Sequence, residues 1–178
     1  MRVIAGLFCA LLLTACSSLQ YDTVIRNGML YDGSGRPPVR GDVAIRGDRI
    51  AAVGMVQGRG RTELDVHGLA VAPGLINVMS QAQETLLVDG RAMSDTLQGV
   101  TTEIFGEGES MGPLTPAMRK EILDSQGDLK YDVDWTTLRE YLDSLVRRGV
   151  TPNVGSFLGA ATPRVYVLGR ENRAPTAE

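Results

Sequence analysis

The chain has few of the side chains that most metal and nucleophile sites need. Its 178 residues include two cysteines and one histidine, and 5% are aromatic. The lone histidine, His67, precedes a glycine in a turn-like stretch, so we interpret it as an exposed turn residue. A metal site of imidazoles needs several such ligands, and this chain has one. The scarcity of aromatic rings also disfavours a stacking platform for bases or sugars.

Positive charge is scarce as well. There are 18 Lys and Arg against 21 Asp and Glu, a formal net charge of −3, and no basic cluster. Nucleic acids are bound through basic surfaces that neutralise phosphates, so we predict no nucleic-acid partner. The hydrophobic fraction of 43% is ordinary for a globular protein and allows a packed core.

The first residues are typical of a secretion signal. Arg2 precedes the apolar run VIAGLFCALLL, which is too short to span a bilayer. The ending Leu-Thr-Ala-Cys resembles the bacterial lipoprotein box, which implies a signal peptide over residues 1–15 and a lipidated tether over residues 16–20. Cys16 would carry the lipid and hold the protein at the cell envelope, in contact with the membrane through the anchor alone. A plain cleaved signal and an uncleaved membrane anchor are the alternatives.

This interpretation also accounts for both cysteines. Cys9 lies in the discarded run, and Cys16 would be blocked by lipid. No thiol then remains for a disulfide, a metal site or a nucleophile.

Residues 21–72 predict short strands of a small antiparallel β unit. Alternating apolar residues predict that Val43 and Ile45 point inward. Three dipeptides are typical of tight turns between strands: Asn27-Gly28, Gly47-Asp48 and His67-Gly68.

Residues 73–178 predict an α/β fold with the element order βαβαβ and a parallel sheet. The expected elements are strands near 75–79, 100–105 and 153–158, a helix over 84–98, a helix from Thr115-Pro116 and a helix capped by Asp134 or Thr136. An α/β barrel needs eight βα units and roughly 240 residues, of which about three units fit here. The stretch is therefore either a small complete layer or the front of a longer protein.

The order of these segments resembles a known superfamily. The segments YDTVIRNGMLYDGSG, GDVAIRGDRIAAVG and VHGLAVAPGLINV are similar to the N-terminal entry of the amidohydrolases. DGRAMSDTLQGVTTEIFGEGESMGPL and WTTLREYLDSLVRRGVTPNVGSFLGAATPRVYVLG resemble the N-acyl-D-amino-acid amidohydrolase, or D-aminoacylase-like, branch. The resemblance implies a β-sandwich portion over residues 21–72 and the first three βα units of a metal-dependent (β/α)8 barrel over residues 73–178. It also implies a zinc-dependent hydrolase of N-acyl-D-amino acids, with most zinc ligands and the catalytic residues beyond this chain.

The sequence departs from that family where metal ligands are expected. The family's His-x-His positions are Met79 and Gln81, and the loop that usually holds a ligating cysteine is Gly106-Glu107-Gly108-Glu109-Ser110. Glu107 is the best candidate metal ligand, since a carboxylate can replace a thiolate on zinc, with a solvated loop acid as the alternative. Glu109 is the weaker choice.

Arg164 and the glycines of the same loop have two interpretations each. Arg164 is a candidate for binding the substrate carboxylate, and a structural ion pair is the other interpretation. The stretch GEGESMG follows a strand as nucleotide-binding loops do, but its spacing and two acidic residues exclude a pyrophosphate.

Two functions remain open on the sequence alone. One is amide hydrolysis by a longer parent protein, with this chain inactive by itself. The other is a degenerate amidohydrolase-like lipoprotein that serves as a binding or scaffold protein.

Overall fold

The computed structural model describes residues 19–177 of the chain. The predicted signal peptide and Cys16 lie outside these residues, while Leu19 and Gln20 of the predicted tether open the first strand. The chain divides into two compact units between Pro73 and Gly74.

The first unit is a five-stranded mixed sheet. Its strands are β1 (Leu19–Leu30), β2 (Val39–Arg46), β3 (Arg49–Gly54), β4 (Arg59–Asp65) and β5 (Ala70–Val71). The order is β3-β2-β1-β4, with β5 also paired to β1. Strand β2 pairs antiparallel with β1 and β3, but β4 and β5 run parallel to β1. The prediction of a wholly antiparallel unit was therefore wrong.

The reason lies at Asn27-Gly28, where the chain does not reverse. Strand β1 continues through both residues, and its register against β2 shifts between Ile25 and Gly28, as at a β-bulge. Asn27 has a φ of 59°, and its N–H leaves the ladder to donate to Asp42 Oδ1 at 2.9 Å. Because Asp42 on the neighbouring strand accepts the Asn27 N–H, the Asn-Gly dipeptide forms a bulge within β1 instead of a hairpin turn.

The other two turn signals had different outcomes. Gly47-Asp48 does join β2 to β3, with Arg46 opposite Arg49, as predicted. His67-Gly68 joins β4 to β5, but both of those strands pair with β1 rather than with each other. The predicted inward side chains were also wrong, because Ala44 is fully buried whereas Val43 and Ile45 are only partly so.

Arg26 holds the first unit together from the middle of β1. Its guanidinium donates to Asp42 Oδ2 and Glu63 Oε1, both at 3.1 Å. It also donates to the carbonyl oxygens of Val56 at 2.8 Å and Gly58 at 2.6 Å. One side chain therefore joins β2, β4 and the β3–β4 loop to β1.

The second unit has a three-stranded parallel sheet in the order β6-β7-β8, as predicted. The strands are β6 (Leu75–Asn77), β7 (Val100–Phe105) and β8 (Asn153–Ser156). The helices are α1 (Thr85–Val88), α2 (Met93–Thr96), α3 (Pro116–Ser125), α4 (Leu138–Arg148) and α5 (Ala161–Leu168). The α/β class predicted for this stretch fits.

The single helix predicted over residues 84–98 is instead two four-residue helices, α1 and α2. Gly90 lies in the break, so close to the end of α4 that an added Cβ would come within 2.4 Å of the Gly149 carbonyl oxygen. The Gly90 carbonyl accepts from Thr151 N–H at 2.8 Å. Tertiary contact with the α4–β8 loop therefore accompanies the interruption.

The longer helices begin where capping chemistry allows. Thr115 caps α3 and Pro116 follows it, as predicted. The cap of α4 is Thr137, not Asp134 or Thr136, and it forms a capping box with Glu140.

The core of the second unit lies between the sheet and its helices. It contains Phe105 from β7, leucines of α1 and α4, and the aromatic rings of Trp135 and Tyr141. On β6, by contrast, Leu75 and Ile76 are about 60% exposed, at 58% and 61%. Within residues 19–177, no helix has the length and apolar character needed to span a bilayer.

Candidate functional site

The carboxyl ends of β6, β7 and β8 meet at one edge of the second sheet, because the strands are parallel. In α/β folds this is the edge where ligands bind. The loops that follow the three strands begin at Val78, Gly106 and Phe157. The metal and substrate candidates predicted from the sequence, Glu107, Glu109 and Arg164, lie on these loops or on the helix that follows β8.

At the end of β6, two exposed side chains flank a buried one. Met79 is 58% exposed and Gln81 is also exposed, whereas Ser80 between them is 4% exposed. The Asn77 carboxamide oxygen accepts from Met79 N–H at 3.2 Å and so holds the chain as it leaves the strand. The two positions at which the resemblance implies histidines thus lie at the sheet edge, but carry a thioether and an amide.

Ser80 is bonded to the middle strand, at a residue that the sequence reasoning missed. Its hydroxyl donates to Glu103 Oε2 at 2.7 Å, and its N–H donates to the Ile104 carbonyl oxygen at 3.0 Å. Glu103 is fully buried on the side of β7 that faces the helices. The available signal was a carboxylate within the otherwise uncharged strand VTTEIF.

The loop after β7 carries the predicted ligand on an open bend. Glu107 is exposed and lies between Gly106 and Gly108, whose φ angles are 85° and 82°. Gly106 packs so closely on β8 that a Cβ would be 2.2 Å from the Phe157 carbonyl oxygen. A side chain at position 106 would therefore displace the loop that presents Glu107.

Arg164 projects from α5 toward the C-terminal segment. Its Nη2 donates to the carbonyl oxygens of Glu171 at 2.9 Å and Arg173 at 3.1 Å, so the partners shown are backbone carbonyls rather than a carboxylate. It lines a cavity of about 270 Å³ together with Glu109 and Arg170. The structure thus brings Glu109, the weaker candidate, into the cavity of Arg164.

The described residues do not form a complete metal site. Between residues 19 and 177, no three His, Cys, Asp or Glu side chains lie close enough together to hold an ion. His67 is exposed in the first unit, as predicted, in the turn between β4 and β5. Glu103 is already bonded to Ser80, which leaves Glu107 as the exposed carboxylate that directly follows a strand end.

Comparison with known proteins identifies the relatives of this chain. No family model matches it. It is 34% identical over 166 residues to a D-aminoacylase of Alcaligenes xylosoxydans xylosoxydans, covering 90% of this chain and 34% of that protein. Over most of its length the chain is similar to D-aminoacylases. An N-acyl-D-aspartate deacylase of the same organism is also 34% identical, over 159 residues, covering 88% of this chain and 32% of that protein.

Solved structures agree with the sequence comparison. A D-aminoacylase described as defining a novel subset of amidohydrolases superposes with a TM-score of 0.74 at 31% identity. It covers 88% of this chain and 33% of the relative. An N-acyl-D-glutamate deacylase of Bordetella bronchiseptica, solved with zinc and a phosphonate mimic of the tetrahedral intermediate, gives 0.72 at 30% identity and the same coverages.

These findings confirm the resemblance to the D-aminoacylase branch that the sequence predicted. A further D-aminoacylase structure concerns a binuclear metal centre, activated by one metal and attenuated by the second. The relatives are therefore metal-dependent amidohydrolases. The chain spans about a third of the length of the curated relatives named above.

Proposed function

We propose that the protein carrying this chain hydrolyses the amide bond of N-acyl-D-amino acids. Water adds to the acyl carbon, the C–N bond breaks, and a carboxylic acid and a free D-amino acid leave. The similarity to D-aminoacylase carries the proposal, because it extends over 90% of this chain and is accompanied by a matching fold. Neither of the curated relatives named above is described as a binding or scaffold protein.

For the architecture, we propose that residues 21–72 are part of a β-sandwich and residues 73–178 are the first βα units of a (β/α)8 barrel. Three parallel strands in chain order, with helices covering one face, support this arrangement. The exposure of Leu75 and Ile76 supports it too: consecutive strand residues point to opposite faces, and in a complete barrel one face of a strand packs in the interior and the other against helices.

Two side chains of this chain have proposed roles at the site. Arg164 binds the carboxylate of the substrate. Within residues 19–177 both of its hydrogen bonds use Nη2, and a guanidinium has five N–H donors in all. Glu107 is the one zinc ligand that the chain contributes, and the other ligands come from outside the described residues. The catalytic groups likewise come from elsewhere in the protein.

For the location, we propose a lipoprotein of the cell envelope, anchored through lipid on Cys16. The support is the Leu-Thr-Ala-Cys ending after a short apolar run. The substrate is a small molecule, and the membrane is contacted through the anchor alone.

The test uses the full-length protein with the N-acetyl derivatives of leucine, aspartate and glutamate in both D and L forms. Release of the free D-amino acid, with little or none of the L, is the expected result. Arg164→Gln should raise KM with little change in kcat, because it weakens binding of a carboxylate that is present in ground state and transition state alike.

The matched control is Arg139→Gln on α4, an exposed arginine 3.6 Å from Asp143. It should leave KM unchanged. Tight binding of the D substrates without any turnover would instead support the binding or scaffold function.

A further inference from the structure

Glu103 is a buried carboxylate that the proposed reaction does not use. It is fully buried, and its Oε1 has no hydrogen-bond partner within residues 19–177. A buried carboxylate costs stability, and an apolar side chain of similar volume is often neutral or better. Packing of this layer therefore does not require an acid at position 103.

Within residues 19–177, the Glu103 side chain has one hydrogen-bond partner, Ser80, which lies at the sheet edge where the substrate is proposed to bind. Ser80 Oγ accepts from Ala82 N–H at 3.1 Å, so its single hydroxyl proton is free to be donated to Glu103 Oε2 at 2.7 Å. The order of donation is Ala82 N–H to Ser80, then Ser80 O–H to Glu103. Together with the 3.0 Å bond from Ser80 N–H to the Ile104 carbonyl, this fixes Ser80 at both its backbone and its side chain.

Fixing Ser80 determines where its neighbours point. Strand β6 ends at Asn77, so Met79 and Gln81 are held in place by the contacts of Ser80 between them rather than by a strand ladder. Both side chains are exposed, whereas Ser80 is buried. The carbonyl of Ala82 accepts from Leu86 N–H at 3.0 Å, so the same contacts also set the entry into α1.

We propose that Ser80 and Glu103 are a positioning pair that holds Met79 and Gln81 in place at the substrate site. The proposal rests on the proposed function for the identity of the substrate, but not for the geometry of the pair. Met79 offers an apolar, adaptable surface and Gln81 a donor and an acceptor. An N-acyl amino acid presents matching groups in its acyl chain and its amide.

The kinetic test compares Glu103→Leu, Ser80→Ala and Glu103→Gln in the full-length protein. The first two should lower kcat/KM by about 10–100-fold, the scale of small misplacements at a reacting centre. Glu103→Gln keeps a carbonyl acceptor for Ser80 and should restore most of the loss. The matched control is Ser144→Ala, which removes another buried hydroxyl, bonded at 2.7 Å to the Tyr141 carbonyl on α4, and should leave kcat/KM unchanged.

A double-mutant cycle separates positioning from general damage. If Glu103 acts through Gln81, then Glu103→Leu should cost much less in a Gln81→Ala background than in the wild type. Purely additive losses, or an equal loss in Ser144→Ala, would overturn the proposal.

Hydrogen exchange provides a readout that does not depend on turnover. Peptides covering residues 79–84 should exchange faster in Glu103→Leu and Ser80→Ala, and at the wild-type rate in Glu103→Gln and Ser144→Ala. If the wild-type protein hydrolyses no N-acyl-D-amino acid, the proposed function is wrong. Hydrogen exchange still tests whether Ser80 and Glu103 hold residues 79–84 in place. Unchanged exchange in all four variants would show that the pair positions nothing.

Discussion

Ser110 and Thr162 bond to each other twice, across the gap between the β7 loop and the start of α5. Ser110 N–H donates to Thr162 Oγ1 at 2.8 Å, and the Thr162 hydroxyl donates back to the Ser110 carbonyl oxygen at 3.2 Å. The Ser110 hydroxyl in turn donates to the Gly112 carbonyl oxygen at 2.8 Å and accepts from Gly159 N–H. The loop that presents Glu107 is thereby tied to the helix that carries Arg164.

The first prediction is that Thr162→Val destabilises the protein. Valine matches the shape of threonine but leaves the buried N–H and carbonyl of Ser110 without their partner, which costs about 1–3 kcal/mol. The melting temperature of the full-length protein should fall accordingly. Thr151→Val, at an exposed loop position, is the control and should melt like the wild type. Equal melting of both variants would contradict the role given to Thr162.

Features that the sequence predicted correctly depend on contacts close in the chain. Thr115 caps α3 because its own side chain reaches Met118 N–H three residues on. Gly47-Asp48 turns the chain between β2 and β3 because Gly47 adopts a φ of 58°, which glycine reaches without a steric penalty. The three parallel strands also follow from local patterning, since their apolar runs are separated by helix signals.

Features that the sequence did not predict depend on residues distant in the chain. Asn27 lies in a bulge because Asp42 accepts its N–H. The predicted helix over 84–98 is interrupted where Gly90 meets Gly149. Glu103 is hydrogen-bonded to a serine 23 positions earlier in the chain. A strand-propensity scale ranks residues one at a time, so it does not indicate which residue a carboxylate in a strand pairs with.

The second prediction concerns acid stability of the first unit. A hydrogen bond from Arg26 is the main reason that the pKa of Glu63 lies below its ordinary value. Burial alone would raise the pKa of Asp42, but hydrogen bonds from Asn27 N–H and Arg26 outweigh it and lower that pKa. Both folded-state pKa values are below the unfolded ones, so the unfolded state binds more protons in acid. The stability from these groups is complete above about pH 4–5 and is lost as the pH falls through their folded pKa values.

Arg26→Met should therefore lower stability at pH 7 and make the further loss in acid shallower. The measurement is the urea midpoint of the full-length protein at pH 7 and at steps down to pH 3. Arg49→Met is the control, because Arg49 lies 3.6 Å from Asp48 with both side chains more than 80% exposed. If Arg26→Met retains the wild-type pH dependence, the network does not hold these two carboxylates.

The third prediction concerns the anchor. Protein isolated from the membrane fraction of a bacterial host should begin at Cys16 and carry acyl chains on it, as mass spectrometry of the N-terminal peptide would show. Cys16→Ser should abolish the modification and leave the protein unprocessed, because serine lacks the thiol that takes the lipid. An unmodified N-terminus at Ser17 or later, on soluble protein, would rule the anchor out.

The last prediction concerns the loop after β7. Met79 and Gln81 give β6 no strong metal ligand, whereas Glu107 lies on an exposed bend directly after the middle strand and brings a negative charge. If Glu107 ligates zinc, Glu107→Ala should weaken zinc binding by at least roughly 10–100-fold. That is the loss typical of removing a residue that hydrogen-bonds to a metal ligand, and removing a ligand itself should cost no less. Zinc content after dialysis against a graded chelator series measures this in the full-length protein, with Glu109→Ala as the control that keeps its zinc. Loss of zinc from Glu109→Ala alone would move the ligand two residues along, into the cavity of Arg164. If both variants keep the zinc content of the wild type, the metal is bound by residues outside this loop.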